Sequence, residues 1–100
     1  MTKEELAPIV HVLKDKDVII ISDEIYAELS YDKPHVSIAS FPEIKDKTLV
    51  INGFSKSYAM TGWRLGYVCG HHILLDAMKK IHQYAIMCSP TTAQLQQLKH

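Results

Sequence analysis

The spacing of apolar residues changes along the chain, and each change marks an element. Leu6, Ile9, Val10 and Leu13 recur at helical intervals within residues 2–16, so one face of an amphipathic helix is apolar. Thr2 followed by Glu5 has the spacing of a capping box, which places the helix start. Pro8 interrupts that pattern by removing a backbone hydrogen bond, so the helix is expected to start later or to bend there. Next comes the run Val18-Ile19-Ile20-Ile21, β-branched and continuous, ending abruptly at Ser22-Asp23. Such a run predicts a strand covered on both faces, as in the parallel sheets of α/β proteins. Residues 48–52 (TLVIN) repeat the pattern, and residues 65–70 (LGYVCG) form a third, shorter candidate.

Between the first two strands the chain is rich in turn-formers and holds Pro34 and Pro42, which predicts an irregular connection with at most a short helix. From Ile73 to about Cys88 a helical stripe returns: Ile73 or Leu74, Ala77, Met78, Ile81, Ala85 and Cys88, with Lys79, Lys80 and Gln83 opposite. Ser89-Pro90 then reads as an N-cap followed by proline at the first helical position. The last helix, with Ala93, Leu95 and Leu98, meets no stop signal before His100. The class is α/β with a mostly parallel sheet. Three strands of buried type need more cover than these helices supply, so the chain is expected to be the middle of a larger domain.

Composition narrows the function. An apolar share of 47% is that of a globular protein rather than a disordered one. Eleven Lys and Arg balance eleven Asp and Glu, without runs of like charge. That argues against nucleic-acid and anionic-membrane partners, which demand a basic excess. No apolar run approaches the ~20 residues of a bilayer span, and no signal peptide is evident, so the expected location is cytoplasmic. Cys69 and Cys88 have no metal-ligand spacing and are expected to be buried thiols in a reducing compartment. His71-His72 with His82 or Asp76 makes a poor metal site: adjacent histidines at a strand-to-helix junction are expected to point apart, and His72 with Asp76 supplies only two ligands.

The chemistry gathers where the first two strands end. In open α/β sheets ligands sit beyond the carboxyl ends of the strands. If both strands run parallel, Asp23, Tyr26, Asn52, Gly53, Ser55 and Lys56 meet at one edge. Lys56 is either a solvated surface lysine or an amine in a partly desolvated pocket. In the second case it can form a Schiff base and shuttle a proton, as pyridoxal phosphate chemistry requires. Arg64 is either an exposed cation or a planar donor pair for phosphate oxygens, with Gly62 and Gly66 allowing sharp turns and close ligand approach. Ser55 and Ser57 are hydroxyl donors to the same phosphate or turn residues. Asp23 reads as a helix cap or as the partner of a pyridinium nitrogen. Tyr26 reads as core packing or as a donor to a ring phenolate oxygen.

SDEIYAEL followed by NGFSKSYAMTGWRLGY resembles the class I/II aminotransferases that depend on pyridoxal 5'-phosphate, the fold type I enzymes related to aspartate aminotransferase. The likeness runs from the first helix through SPTTAQ. It implies that Lys56 forms the internal aldimine, Asp23 pairs with the pyridine nitrogen, Tyr26 bonds the phenolate oxygen and Arg64 holds the phosphate. The family usually places a serine or threonine three residues before the lysine. Here that position is Gly53, and Ser55 stands in as the candidate hydroxyl.

The resemblance further implies a three-layer α/β/α large domain, of which residues 1–100 are a fragment. The small substrate domain and the N-terminal cofactor-binding segments would lie outside it, in a homodimer whose subunits are about four times this length. The implied reaction is ping-pong transamination between an amino acid and a 2-oxo acid, with the 100-residue chain alone expected to be inactive. Two alternatives stand beside it: a carbon–sulfur lyase of the same fold acting by β-elimination, and a truncated, non-catalytic fragment.

Overall fold

Thr2 starts the first helix in the computed structural model, which describes residues 1–98. Helix α1 spans Lys3–Leu13. The Thr2 hydroxyl accepts from the Glu5 N–H at 3.3 Å, and the Glu5 carboxylate accepts from the Thr2 N–H at 2.7 Å, so the capping box forms. The helix does not start later, and it runs on through Pro8 to Leu13. Proline lies one turn inside the start and denies a partner only to the Glu4 carbonyl. Leu6 and Val10 are buried and Leu13 is half-buried, whereas Ile9 stays exposed.

The far end of α1 is held by Lys47, which sequence reading passed over. Its ammonium donates to the carbonyls of Leu13, Lys14 and Lys16 at 2.8, 2.9 and 2.6 Å. These lie at a helix C-terminus, where carbonyls lack intrahelical partners and a cation meets the negative end of the helix dipole. Lys47→Met keeps the aliphatic stem and removes all of these bonds. It is expected to lower stability by about 1–3 kcal/mol, the side chain being only half-buried, as read from the urea midpoint.

Strands β1 (Ile20–Asp23), β2 (Thr48–Gly53) and β3 (Gly66–Cys69) form one sheet in that order. β1 and β2 are parallel, with Ile20 opposite Thr48 and Asp23 opposite Ile51. β3 returns antiparallel, with Val50 opposite Cys69 and Gly53 opposite Gly66. Strand β1 takes only the second half of its apolar run and adds Ser22 and Asp23. Ile19 and Ile21 are 58% and 66% exposed, so the expected cover on both faces is absent in this chain.

The β1–β2 connection is irregular, as its prolines require, with single 3₁₀ turns at Ala27–Leu29, Ile38–Ser40 and Lys45–Lys47. It does the packing that a crossover helix would otherwise do. Its Phe41 and Ile44 join Leu6 and Val10 in one buried cluster, with Leu13, Ile20, Val36 and Ile38 against it. The Thr48 hydroxyl, itself buried, donates to the Ile44 carbonyl at 2.8 Å and fastens this core to β2.

The C-terminal helices lie on the periphery. α3 spans His72–Ala85 and ends three residues before the apolar stripe does. The cause is Met87, whose φ of 76° is left-handed; it and Ile86 turn their N–H groups back onto the His82 carbonyl. The stripe is not buried: Ile73 and Ile81 are largely exposed. α4 spans Thr91–Gln97, and its N-cap is Pro90 rather than Ser89, because Pro90 has an extended ψ of 135°. Ala93 is buried and Leu95 is exposed, and the last part of the helix expected to reach His100 lies outside the described residues. Among the described residues no helix is long and apolar enough to cross a membrane.

Candidate functional site

Parallel pairing of β1 and β2 brings their carboxyl ends side by side, and a crevice of about 590 Å³ opens there. β1 supplies Asp23 and β2 supplies Asn52 and Gly53. Helix α2 (Phe54–Ser57), which follows β2 directly, supplies Ser55 and Lys56. The turn before β3 adds Thr61 and Arg64, and Ile25, Ile51 and Leu65 provide apolar walls. Of the residues expected at this site, Asp23, Ser55, Lys56 and Arg64 line one crevice. Tyr26 stands at its margin, with the Lys56 ammonium 5.6 Å from its ring centroid. Ser57, on the same short helix, does not line it.

The charged groups do not neutralise one another. Among the described residues Asp23, Lys56 and Arg64 take part in no ion pair. Asp23 accepts a hydrogen bond from the Ile25 N–H at 3.2 Å, and Asn52 accepts one from the Gly53 N–H at 2.7 Å. Lys56 is exposed rather than partly desolvated, so this chain does not itself supply the dry pocket expected around the amine.

The turn from Lys56 to Arg64 is folded back onto α2. Tyr58 and Met60 both donate backbone N–H groups to the Phe54 carbonyl, at 3.2 and 3.3 Å. Met60 and Leu65 are buried beneath it, and the Phe54 ring packs on Tyr58 and Tyr67. Ala59 and Arg64 adopt left-handed backbone, with φ of 52° and 53°. Glycine is the residue expected to allow a sharp turn here, yet among the described residues no glycine has positive φ. For a residue with Cβ the left-handed region costs about 1–2 kcal/mol, so the turn holds Arg64 under strain. The guanidinium donates to the Thr61 carbonyl at 2.9 Å, which fixes the side chain as well.

Gly53 has extended backbone, so its requirement is space. A Cβ there would stand 3.0 Å from the Leu65 carbonyl oxygen and 3.1 Å from the Gly66 Cα. A hydroxyl side chain at that position therefore demands that β3 move, which leaves Ser55 and Thr61 as the hydroxyls lining the crevice. At Gly66 a Cβ would stand 3.1 Å from the Asn52 carbonyl oxygen, so this glycine serves the same close strand approach at the crevice wall.

Two features escaped sequence reading. Thr61 gives no pattern signal, because its place depends on the folded-back turn. Glu24 is only 7% exposed although it follows Asp23 at a strand end. Ser37 and Ser22 donate to one carboxylate oxygen at 2.8 and 3.1 Å, and the His35 Nε2 lies 2.9 Å from the other. Burial opposes its ionisation, but the bonds from His35, Ser37 and Ser22 and the charge of His35 outweigh it and hold the carboxyl below its ordinary value. Glu24 therefore contributes stability above its ordinary value of 4.5, and loses it as pH falls through the lowered one. The thermal midpoint is expected to drop over that acid range, and the drop to shrink in Glu24→Gln.

Cys69 and Cys88 are exposed, not buried. The His71 and His72 rings lie 4.3 Å apart instead of pointing away from each other. His71 accepts from the Ile73 N–H at 3.4 Å as the cap of α3. Among the described residues no three metal-ligating side chains come together.

Residues 1–99 match the family model described as aminotransferase class I and II. Bacillus subtilis (strain 168) YugH is 55% identical over 98 residues, covering 98% of this chain and 25% of that protein. The aspartate aminotransferase of the same organism is 42% identical over 95 residues, covering 93% of this chain and 24% of that protein. The solved structure of an aromatic aminotransferase from Pyrococcus horikoshii OT3 superposes with a TM-score of 0.88 at 41% identity, over 94% of this chain and 26% of that one. The chain thus spans about a quarter of the length of the proteins it matches.

Proposed function

The chain belongs to the class I and II aminotransferase family, and from that premise we propose that it carries the pyridoxal phosphate site of an enzyme moving an amino group between an amino acid and a 2-oxo acid. The observation that carries this reading is the crevice itself: a carboxylate, an amine and a guanidinium line it without pairing with one another. A ligand with a basic ring nitrogen, an aldehyde and a phosphate has a use for each of them. The donor set therefore fits the cofactor.

When bound, pyridoxal phosphate supplies an electron sink conjugated to the substrate Cα. Lys56 would hold the aldehyde carbon, and its amine is the group that would carry a proton between substrate Cα and cofactor C4′. Asp23 would hold the ring nitrogen, where its negative charge would keep a proton in place. Arg64 binds the phosphate through paired N–H donors, helped by the Ser55 hydroxyl, so that the ring stays within reach of the amine. Tyr26 donates to the phenolate oxygen. This chain is the lysine-bearing part of the large domain. The cover that Lys56 lacks comes from the remainder of the protein and from a second copy, in a cytoplasmic homodimer.

Incubation with pyridoxal phosphate, borohydride reduction and peptide mass spectrometry test the site. Labelling concentrated at Lys56 at low cofactor concentration is the expected result. Labelling spread evenly over the lysines, and unchanged in Lys56→Ala, would show that the chain holds no cofactor pocket. In the full-length protein, a glutamate-coupled 2-oxo acid product marks transamination, and ammonia with pyruvate marks elimination.

A further inference from the structure

Glu24 lies between Asp23 and the turn that holds Tyr26, and the proposed reaction has no use for it. Glu24 follows the last residue of β1, does not line the crevice that Asp23 lines, and lies with Ser22, two residues back. There its carboxylate is buried and meets Ser22, His35 and Ser37. Burying a carboxylate is unfavourable unless donors surround it, so a tight turn alone gives no reason for one here. The backbone of Glu24 is held as firmly: its N–H donates to the Ile51 carbonyl at 2.8 Å, and its carbonyl accepts from the Ala27 N–H at 2.9 Å. Asp23, through its bond from the Ile25 N–H, belongs to the same turn.

We propose that Glu24 is the positioning residue of the site: its carboxylate ties the 35–37 segment to the end of β1 and thereby sets the directions of Asp23 and Tyr26. This rests on reading those two residues as cofactor ligands. It gives His35 and Ser37, which do not line the crevice, a hold on the geometry inside it.

Amide hydrogen exchange measured by NMR on the 100-residue chain tests the tie without any cofactor. Glu24→Ala is expected to speed exchange at Ile25 and Ala27 by about tenfold or more, while the interior amides of α1 keep their rates. Glu24→Gln keeps an acceptor for both serines and stays within about threefold of the original rates. Ser37→Ala removes one bond to the carboxylate, together with the bond the hydroxyl accepts from the Ala39 N–H; it gives an intermediate effect and decides the question should Glu24→Ala unfold. Unchanged exchange at Ile25 and Ala27, or a rise in step with α1, would overturn the proposal, since the second marks global stability alone.

Borohydride labelling adds the site's own readout. Glu24→Ala is expected to lose selectivity for Lys56 by about tenfold, with recovery in Glu24→Gln. Full selectivity in a folded Glu24→Ala also overturns the proposal. Absence of selective labelling in the unaltered chain counts against the cofactor reading, and the exchange rates then decide the role of Glu24 by themselves.

Discussion

Arg64→Ala is expected to weaken pyridoxal phosphate binding by about 100-fold, the loss of two charge-assisted hydrogen bonds. The structure makes the experiment sharper than a simple truncation. Arg64 has left-handed backbone, so alanine inherits the strain while glycine relieves it. Arg64→Gly should lose the same affinity and gain slightly in thermal midpoint, because a strain of about 1–2 kcal/mol is offset only in part by the flexibility of glycine. Arg64→Lys keeps the charge without the planar donor pair and recovers part of the affinity. Titration followed by absorbance, beside a melting curve for each variant, separates the ligand from the backbone. Alanine and glycine variants that bind like the original would remove Arg64 from the phosphate role. A strained non-glycine residue in a crevice is itself a pointer to function.

Ile44→Ala is expected to have the largest effect on stability, about 2–5 kcal/mol by the usual measure for a buried aliphatic side chain cut to alanine. Ile44 is fully buried, among Leu6, Val10 and Phe41, and its carbonyl takes the Thr48 hydroxyl. Its loss opens a cavity in the buried cluster that joins α1 to the sheet. A domain of this size has only about 5–15 kcal/mol in all, so the urea midpoint should fall by a large fraction. A shift within the scatter of surface substitutions would place the core elsewhere. The effect reaches the site, because Ile44 precedes β2 and β2 delivers Lys56.

Much of this was legible in the sequence because the signals are local. The capping box at Thr2 and Glu5, the apolar runs that became β1 and β2, and the irregular stretch around Pro34 and Pro42 depend on residues close in the chain. Asp23, Ser55 and Lys56 could be brought together because one inference, parallel strands ending side by side, decides their meeting, whereas Arg64 joined them through its phosphate-binding chemistry and the resemblance. Misses arose where the determinant was distant or conformational. The bonds of Lys47 to Leu13, Lys14 and Lys16 cross more than thirty positions. The Glu24 partners His35 and Ser37 lie beyond an irregular loop with no periodicity to reveal them. Met87 ended α3 early through a left-handed backbone that its side chain does not announce. Exposure was misjudged for Cys69, Cys88 and the α3 stripe because an apolar residue states a preference for cover, and this chain does not provide it.

Strand β2 is hydrogen-bonded along both edges, parallel to β1 and antiparallel to β3. Length changes in the chain therefore carry unequal consequences. A residue inserted between Tyr31 and Pro34 has exposed loop to absorb it and leaves both ladders untouched. A residue inserted within Thr48–Gly53 must break register with two neighbours at once or turn every later side chain to the opposite face, Lys56 included. The spacing from the start of β2 to the lysine is thus the least elastic dimension of the molecule, and variation in length among related sequences should collect everywhere else first.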